Sequence, residues 1–135
     1  MTITKYISRD GVSTVDIPDR IKGLQVTEIG EFAFSWCTDL TGVTIPAGVI
    51  AIGNSAFLGC AGLRSVTIPA GVIAIGHWAF LGCAGLRSVT IPAGVIAIGV
   101  AAFYGCSGLR SVTLSRRTRV GDSTFPDRVR LVYRD

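Results

Sequence analysis

The 135-residue sequence predicts an α/β solenoid. It places a parallel β-sheet on one face, short extended segments and single helical or 3₁₀ turns on the others, and a cap at each end. Three observations predict it. Residues 43–65, 66–88 and 89–111 are near copies with a period of 23. Within each copy a strand such as "SVTIP" alternates, so Val66 and Ile68 point inward while Ser65 and Thr67 point out. Charge is confined to the flanks: residues 1–42 carry four basic and six acidic groups and residues 112–135 six Arg against three Asp, but residues 43–111 only Arg64, Arg87 and Arg110.

The elements follow in order along one domain, 1–135. Residues 1–42 hold an N-terminal cap and a degenerate first repeat. "ITKYISRDGVSTVDI" reads as a hairpin turning at Asp10-Gly11, which would cover the first layer. In each full repeat a proline (Pro46, Pro69, Pro92) closes the strand, as Pro18 does in the degenerate copy. A second extended segment, "VIAIG", ends at a glycine (Gly53, Gly76, Gly99) where the chain turns. "AFLGC" is expected to form one helical or 3₁₀ turn, with Phe80 and Cys83 three apart on its inner face. Phe34, Phe57, Phe80, Phe103 and Phe125 then stack as a buried spine. Residues 112–135 form the C-terminal cap. Its repeat lacks one residue, replaces the strand proline with Ser115, drops the cysteine and ends in "VRLVYRD".

The pattern L-x-x-V-x-I-P-x-x-V-x-x-I-G-x-x-A-F-x-x-C is met at every defined position by all three full repeats. It resembles the BspA-like (Treponema-type) leucine-rich repeat. The resemblance implies a cell-surface adhesion or protein-recognition module with no enzymatic activity and no cofactor.

Composition excludes several classes. With 49% hydrophobic and 16% charged residues the chain can bury a core and is not disordered. No apolar run approaches the roughly 18 residues of a membrane span. "MTITKYISRDG" lacks the apolar region of a secretory signal, so the chain as it stands reads as cytoplasmic, or as one whose leader was removed. If a leader was removed, the family resemblance implies a cell-surface or secreted protein. The Lys/Arg distribution is too sparse for a nucleic-acid interface, which needs clustered cations interleaved with stacking aromatics. Cys37, Cys60, Cys83 and Cys106 fall one per repeat. Metal ligands must converge, and a ladder of single thiols does not, so the cysteines read as reduced, buried core residues. His77 is the single histidine, and no acid lies between Asp39 and Asp122. Neither a nucleophile–base set nor a carboxylate pair can be assembled in the repeats, so the sequence reads as non-enzymatic.

The full repeats differ at only four register positions: 54/77/100, 55/78/101, 58/81/104 and 61/84/107. The substitutions include Asn54, Ser55, Leu58, His77, Trp78, Leu81, Val100, Ala101 and Tyr104, with Phe32 and Trp36 adjoining in the first repeat. Drift would vary exposed positions too, yet Arg64, Ser65, Thr67 and Ala70 are copied unchanged. Trp and Tyr are favoured at binding hot spots, so these windows are the candidate site for a protein or peptide partner, and His77 would make recognition pH-sensitive. Asn54 also suits a cap of the turn, a role Val100 cannot fill. Two further rows compete. Arg64, Arg87 and Arg110 form a like-charge ladder that is either solvated or paired with an anion, such as an acidic polymer. Ile50, Ile73 and Ile96 would form an apolar stripe for self-association into a homo-oligomeric scaffold if exposed, or would pack beneath a neighbour. Near-identity of the repeats fits recent duplication as well as deliberate consensus construction.

Overall fold

The computed structural model describes residues 1–6 and 13–134. Fourteen strands lie among them. The first seven are β1 (Thr2–Ile3), β2 (Thr14–Asp16), β3 (Arg20–Ile21), β4 (Leu24–Gln25), β5 (Glu28–Ile29), β6 (Gly42–Thr44) and β7 (Ala51–Ile52). The rest are β8 (Ser65–Thr67), β9 (Ala74–Ile75), β10 (Ser88–Thr90), β11 (Ala97–Ile98), β12 (Ser111–Leu114), β13 (Arg119–Val120) and β14 (Arg130–Tyr133).

The "AI" segments build the longest sheet, a six-stranded one in the order β1-β5-β7-β9-β11-β13. Every pairing in it is parallel, and identical residues of the full repeats face each other, as in Ile52↔Ile75 and Ile98↔Ile75. The second extended segment is thus a principal sheet. The "SVT" strands on the other side form two three-stranded parallel sheets, β2-β6-β8 and β10-β12-β14. No ladder joins β8 to β10, although both read "SVT". No residue difference accounts for this parting. The insertion in the degenerate repeat is a small antiparallel hairpin, β3-β4, turning at Lys22-Gly23.

The core lies between the two sets of strands. Val66, Ile68, Val72 and Ile75, with their equivalents one period away, are buried. Phe34, Phe57, Phe80 and Phe103 are fully buried and stack with centroids 5.0–5.1 Å apart. Tyr6 extends the spine at one end, at 5.1 Å from Phe34, and Phe125 at the other, at 5.7 Å from Phe103. At the C-terminal end Arg116 lies over the Tyr133 ring, 4.6 Å from its centroid.

The helical-turn expectation is not met, since the described residues contain no helix. The reason is in the hydrogen bonds of residues 55–60. The N–H groups of Ala56, Leu58 and Cys60 bond within the layer, each to the carbonyl three residues back. Those of Ser55, Phe57 and Gly59 bond instead to His77, Ala79 and Leu81 in the next layer. A helix would need every N–H for its own turn. Here alternate groups staple layers together, so the architecture is all-β with stacked turns. The N-terminal hairpin turn at Asp10-Gly11 lies outside the described residues. Its flanking strands pair in different sheets, β1 with β5 and β2 with β6, so they are not the two arms of one hairpin.

Two glycine positions have distinct causes. Gly53, Gly76 and Gly99 have ordinary φ, so they do not serve an unusual turn; a Cβ on Gly76 would meet the backbone nitrogen of Asn54 at 2.6 Å. The layers approach too closely there for a side chain. Gly59, Gly82 and Gly105 have φ of 75–77°, the left-handed region.

Candidate recognition face

The stacked turns carry the variable positions and set them out in columns. The first column is Glu31, Asn54, His77 and Val100. The His77 N–H donates to Asn54 Oδ1 and the Val100 N–H to His77 Nδ1, each at 2.8 Å. Nδ1 therefore accepts, and the ring proton sits on Nε2. The capping role expected for Asn54 is present, but it satisfies the next layer. A polar residue recurring at one register in adjacent repeats was the signal for this ladder.

The second column, Phe32, Ser55, Trp78 and Ala101, is left-handed throughout, with φ between 55° and 59°. Large and small residues alternate in it. Phe32 and Trp78 stand out from the surface, whereas Ser55 is 3% and Ala101 8% exposed. Those two are corrected from the expected binding surface, since buried side chains do not meet a partner. Trp36 occupies the register that holds Gly59, Gly82 and Gly105 in the other repeats, and it too is left-handed, at φ 60°. Its ring lies over Gly59, where an added Cβ would sit 2.7 Å from Trp36 Cδ2. The ring is nonetheless 68% exposed, as Tyr104 is 56%. Leu58, Leu81 and Asn54 are half-buried, and His77 and Val100 are exposed. The structure brings all these residues onto successive turns of one side.

Sequence reading missed a second use of the cysteines. All four are buried free thiols. Cys60, Cys83 and Cys106 donate to the carbonyls of Phe34, Phe57 and Phe80 in the preceding layer, at 3.0, 3.3 and 3.1 Å. Burial pushes the Cys60 thiol up to about 12 and raises Cys37; contact with the Cys106 thiol, then burial, raises Cys83. The bond to Cys83 lowers the Cys106 thiol, and Cys37 bonds within its own layer to Ser35. Cys60 and Cys83 are thus unreactive thiols, and with Cys106 they tie layer to layer. Among the described residues no three His, Cys, Asp or Glu side chains converge as metal ligands would, and no helix is long and apolar enough to cross a membrane.

The two competing rows are both exposed. Ile50, Ile73 and Ile96 stand immediately before β7, β9 and β11. Arg64, Arg87 and Arg110 stand immediately before β8, β10 and β12.

Comparison with known proteins agrees with this geometry. Residues 11–132 match the BspA type leucine rich repeat region in six copies. A leucine-rich repeat protein from Bacteroides ovatus has a similar structure, at 30% identity and a TM-score of 0.82, covering 98% of this chain and 39% of that one. A leucine rich cell surface protein from Faecalibacterium prausnitzii is similar at 28% identity and a TM-score of 0.78, covering 87% of this chain and 30% of its own. The T. pallidum leucine rich repeat protein is similar at 28% identity and a TM-score of 0.65, over 96% and 77% of the two chains. This chain thus spans well under half the length of the first two. No curated protein sequence is similar enough to be counted a relative.

Proposed function

Because the chain belongs to the BspA-type leucine-rich repeat family, we propose that it is a non-enzymatic recognition module for a protein or peptide partner. The partner docks on Phe32, Trp36, Trp78 and Tyr104, with Asn54, Leu58, His77, Leu81 and Val100 around them. One relative's description as a cell surface protein supports the same placement for this chain.

The observation that carries the reading is backbone conformation. Phe32, Trp36 and Trp78 hold left-handed φ of 57–60° at exposed positions. A bulky residue there costs about 1–2 kcal/mol relative to glycine. At the Trp36 register the other repeats meet the same requirement with glycine, Gly59, Gly82 and Gly105. Large aromatics retained against that cost on one side fit selection for contact.

The experiment is a peptide-display selection against the full chain, then Trp78→Ala, Tyr104→Ala and Arg87→Ala compared at equal folded concentration. Trp78 is central, so its loss should weaken binding by about 2 kcal/mol, on the order of thirtyfold. If Arg87→Ala abolishes binding while Trp78→Ala leaves it intact, the variable face is not the site.

A second reading is favoured by one observation: Ile50, Ile73 and Ile96 are 45%, 46% and 62% exposed in a single row. Such a stripe supports self-association. Sedimentation should then show a concentration-dependent mass that Ile73→Thr reduces without unfolding the chain. A monomer at every concentration removes this reading.

A further inference from the structure

Away from the aromatic columns, one layer junction is built differently from the rest. Along the arginine row the Arg64 N–H donates to the Thr41 carbonyl at 2.9 Å, the Arg110 N–H to Arg87 at 2.8 Å and the Arg130 N–H to Arg110 at 2.8 Å. The Arg87 N–H makes no corresponding bond to Arg64. The same junction is where β8 and β10 part. Two clefts open there side by side. One of ≈ 280 Å³ runs between Ser65–Ile68 and Ser88–Thr90. The other, of ≈ 540 Å³, is lined by Thr41, Ala61, Gly62, Arg64, Gly85 and Arg87, so it runs from the bonded Thr41–Arg64 junction into the parted one, and no side chain from the two glycine positions fills it.

The chemistry of this place is one-sided. Both guanidinium groups are exposed, neither makes a hydrogen bond or ion pair among the described residues, and residues 43–111 contain no acid to neutralise them. Two like charges one layer apart repel each other unless something negative sits between them. A backbone N–H with no acceptor adds a third donor beside them. The guanidinium-bearing residues of two stacked layers line one cleft, and the unbonded Arg87 N–H lies at the same junction. A tetrahedral oxyanion can accept from several donors at once, and arginine forks bind such groups well.

We propose that the parted junction is a binding site for a tetrahedral oxyanion of the sulfate or phosphate class, held by the guanidinium groups of Arg64 and Arg87 and by the Arg87 N–H. Arg110 is the internal control. It belongs to the same charge ladder, but its N–H is already bonded to Arg87 and the strands beside it are paired. A site at the junction uses Arg64 and Arg87; a diffuse ladder uses all three alike.

The test titrates sodium sulfate into the isotope-labelled full chain at constant ionic strength, with chloride as the balancing anion. The Arg87 amide resonance should shift and saturate while that of Arg110 stays in place. Arg64→Gln and Arg87→Gln should each lower the affinity at least tenfold, and Arg110→Gln less than twofold. These side chains are exposed, and unchanged amide spectra elsewhere confirm each variant's fold. A second arm uses a sulfated disaccharide. Tighter binding than inorganic sulfate, with the same arginine dependence, assigns the site to an ester on a saccharide. Saturable binding of the inorganic ion alone assigns it to the free anion. Equal, non-saturating shifts at all three arginines, or equal losses in the three variants, would overturn the proposal.

Discussion

Trp78 sits where a side chain is most expensive to keep. Its φ of 57° lies in the region that favours Gly, and tolerates Asn better than other residues. Removing the ring loses its half-buried contacts in any variant, so the backbone cost must be read between two variants that both lack it. Trp78→Asn should be more stable than Trp78→Ala by roughly 0.5–1 kcal/mol, and both should lose partner binding. Urea midpoints measure the difference, and an alanine variant at least as stable as the asparagine one would deny the left-handed argument. The same scale holds a prediction about pH. Burial raises Cys60 from an ordinary value near 9 to about 12. Below 9 both folded and unfolded thiols are protonated and nothing is lost. Above 9 the unfolded thiol ionises and the folded one does not, so stability falls as pH rises toward 12. Cys60→Ala should flatten that fall. If variant and parent lose the same stability between pH 8 and 10.5, burial of this thiol is not what sets the alkaline slope.

At the scale of the element, the stacked turn is held by bonds that run between layers, and side chains extend the pattern. Asn54 and His77 each accept an N–H from the following layer, whereas Val100 offers no acceptor to Asp122. Val100→Asn should therefore stabilise the chain by about 1 kcal/mol, and Asn54→Ala should cost a similar amount. A Val100→Asn variant that melts no higher than its parent would show that the ladder ends by geometry rather than by chemistry. The strands and their inward Val and Ile were legible because a period-2 pattern repeated every 23 residues has one way to stack. The turn was not. Phe80 and Cys83 at spacing three fit a helix, but they fit successive three-residue turns equally well. What separates the two is the partner of Phe80's N–H, the Ala102 carbonyl, which lies 22 residues away and outside any local window. Ser55 and Ala101 misled for the same reason: their burial is set by the stacking of layers, which no local window shows.

Across the whole molecule the same interface recurs, ring on ring at 5.0–5.1 Å and strand beside strand, so stability should be close to a sum of nearest-neighbour terms. This gives the deletion of residues 66–88 a definite outcome. Ser65 would join Val89, which restores the "SVTIP" strand, and Cys60 and Phe57 would meet Phe103 and Cys106 in place of Phe80 and Cys83. No cap residue is touched. The shortened chain should fold, with strand content kept, the dependence of unfolding on urea reduced in proportion to the surface of one lost layer, and stability lowered by one interface. It should also lose partner binding, because Trp78 and His77 leave with the layer while Phe32, Trp36 and Tyr104 remain. Unfolding followed by circular dichroism decides the first part and the display-selected peptide the second. An unfolded product would mean that this one layer anchors both ends, which a nearest-neighbour array does not allow. A folded product that still binds fully would move the recognition surface off the central layer.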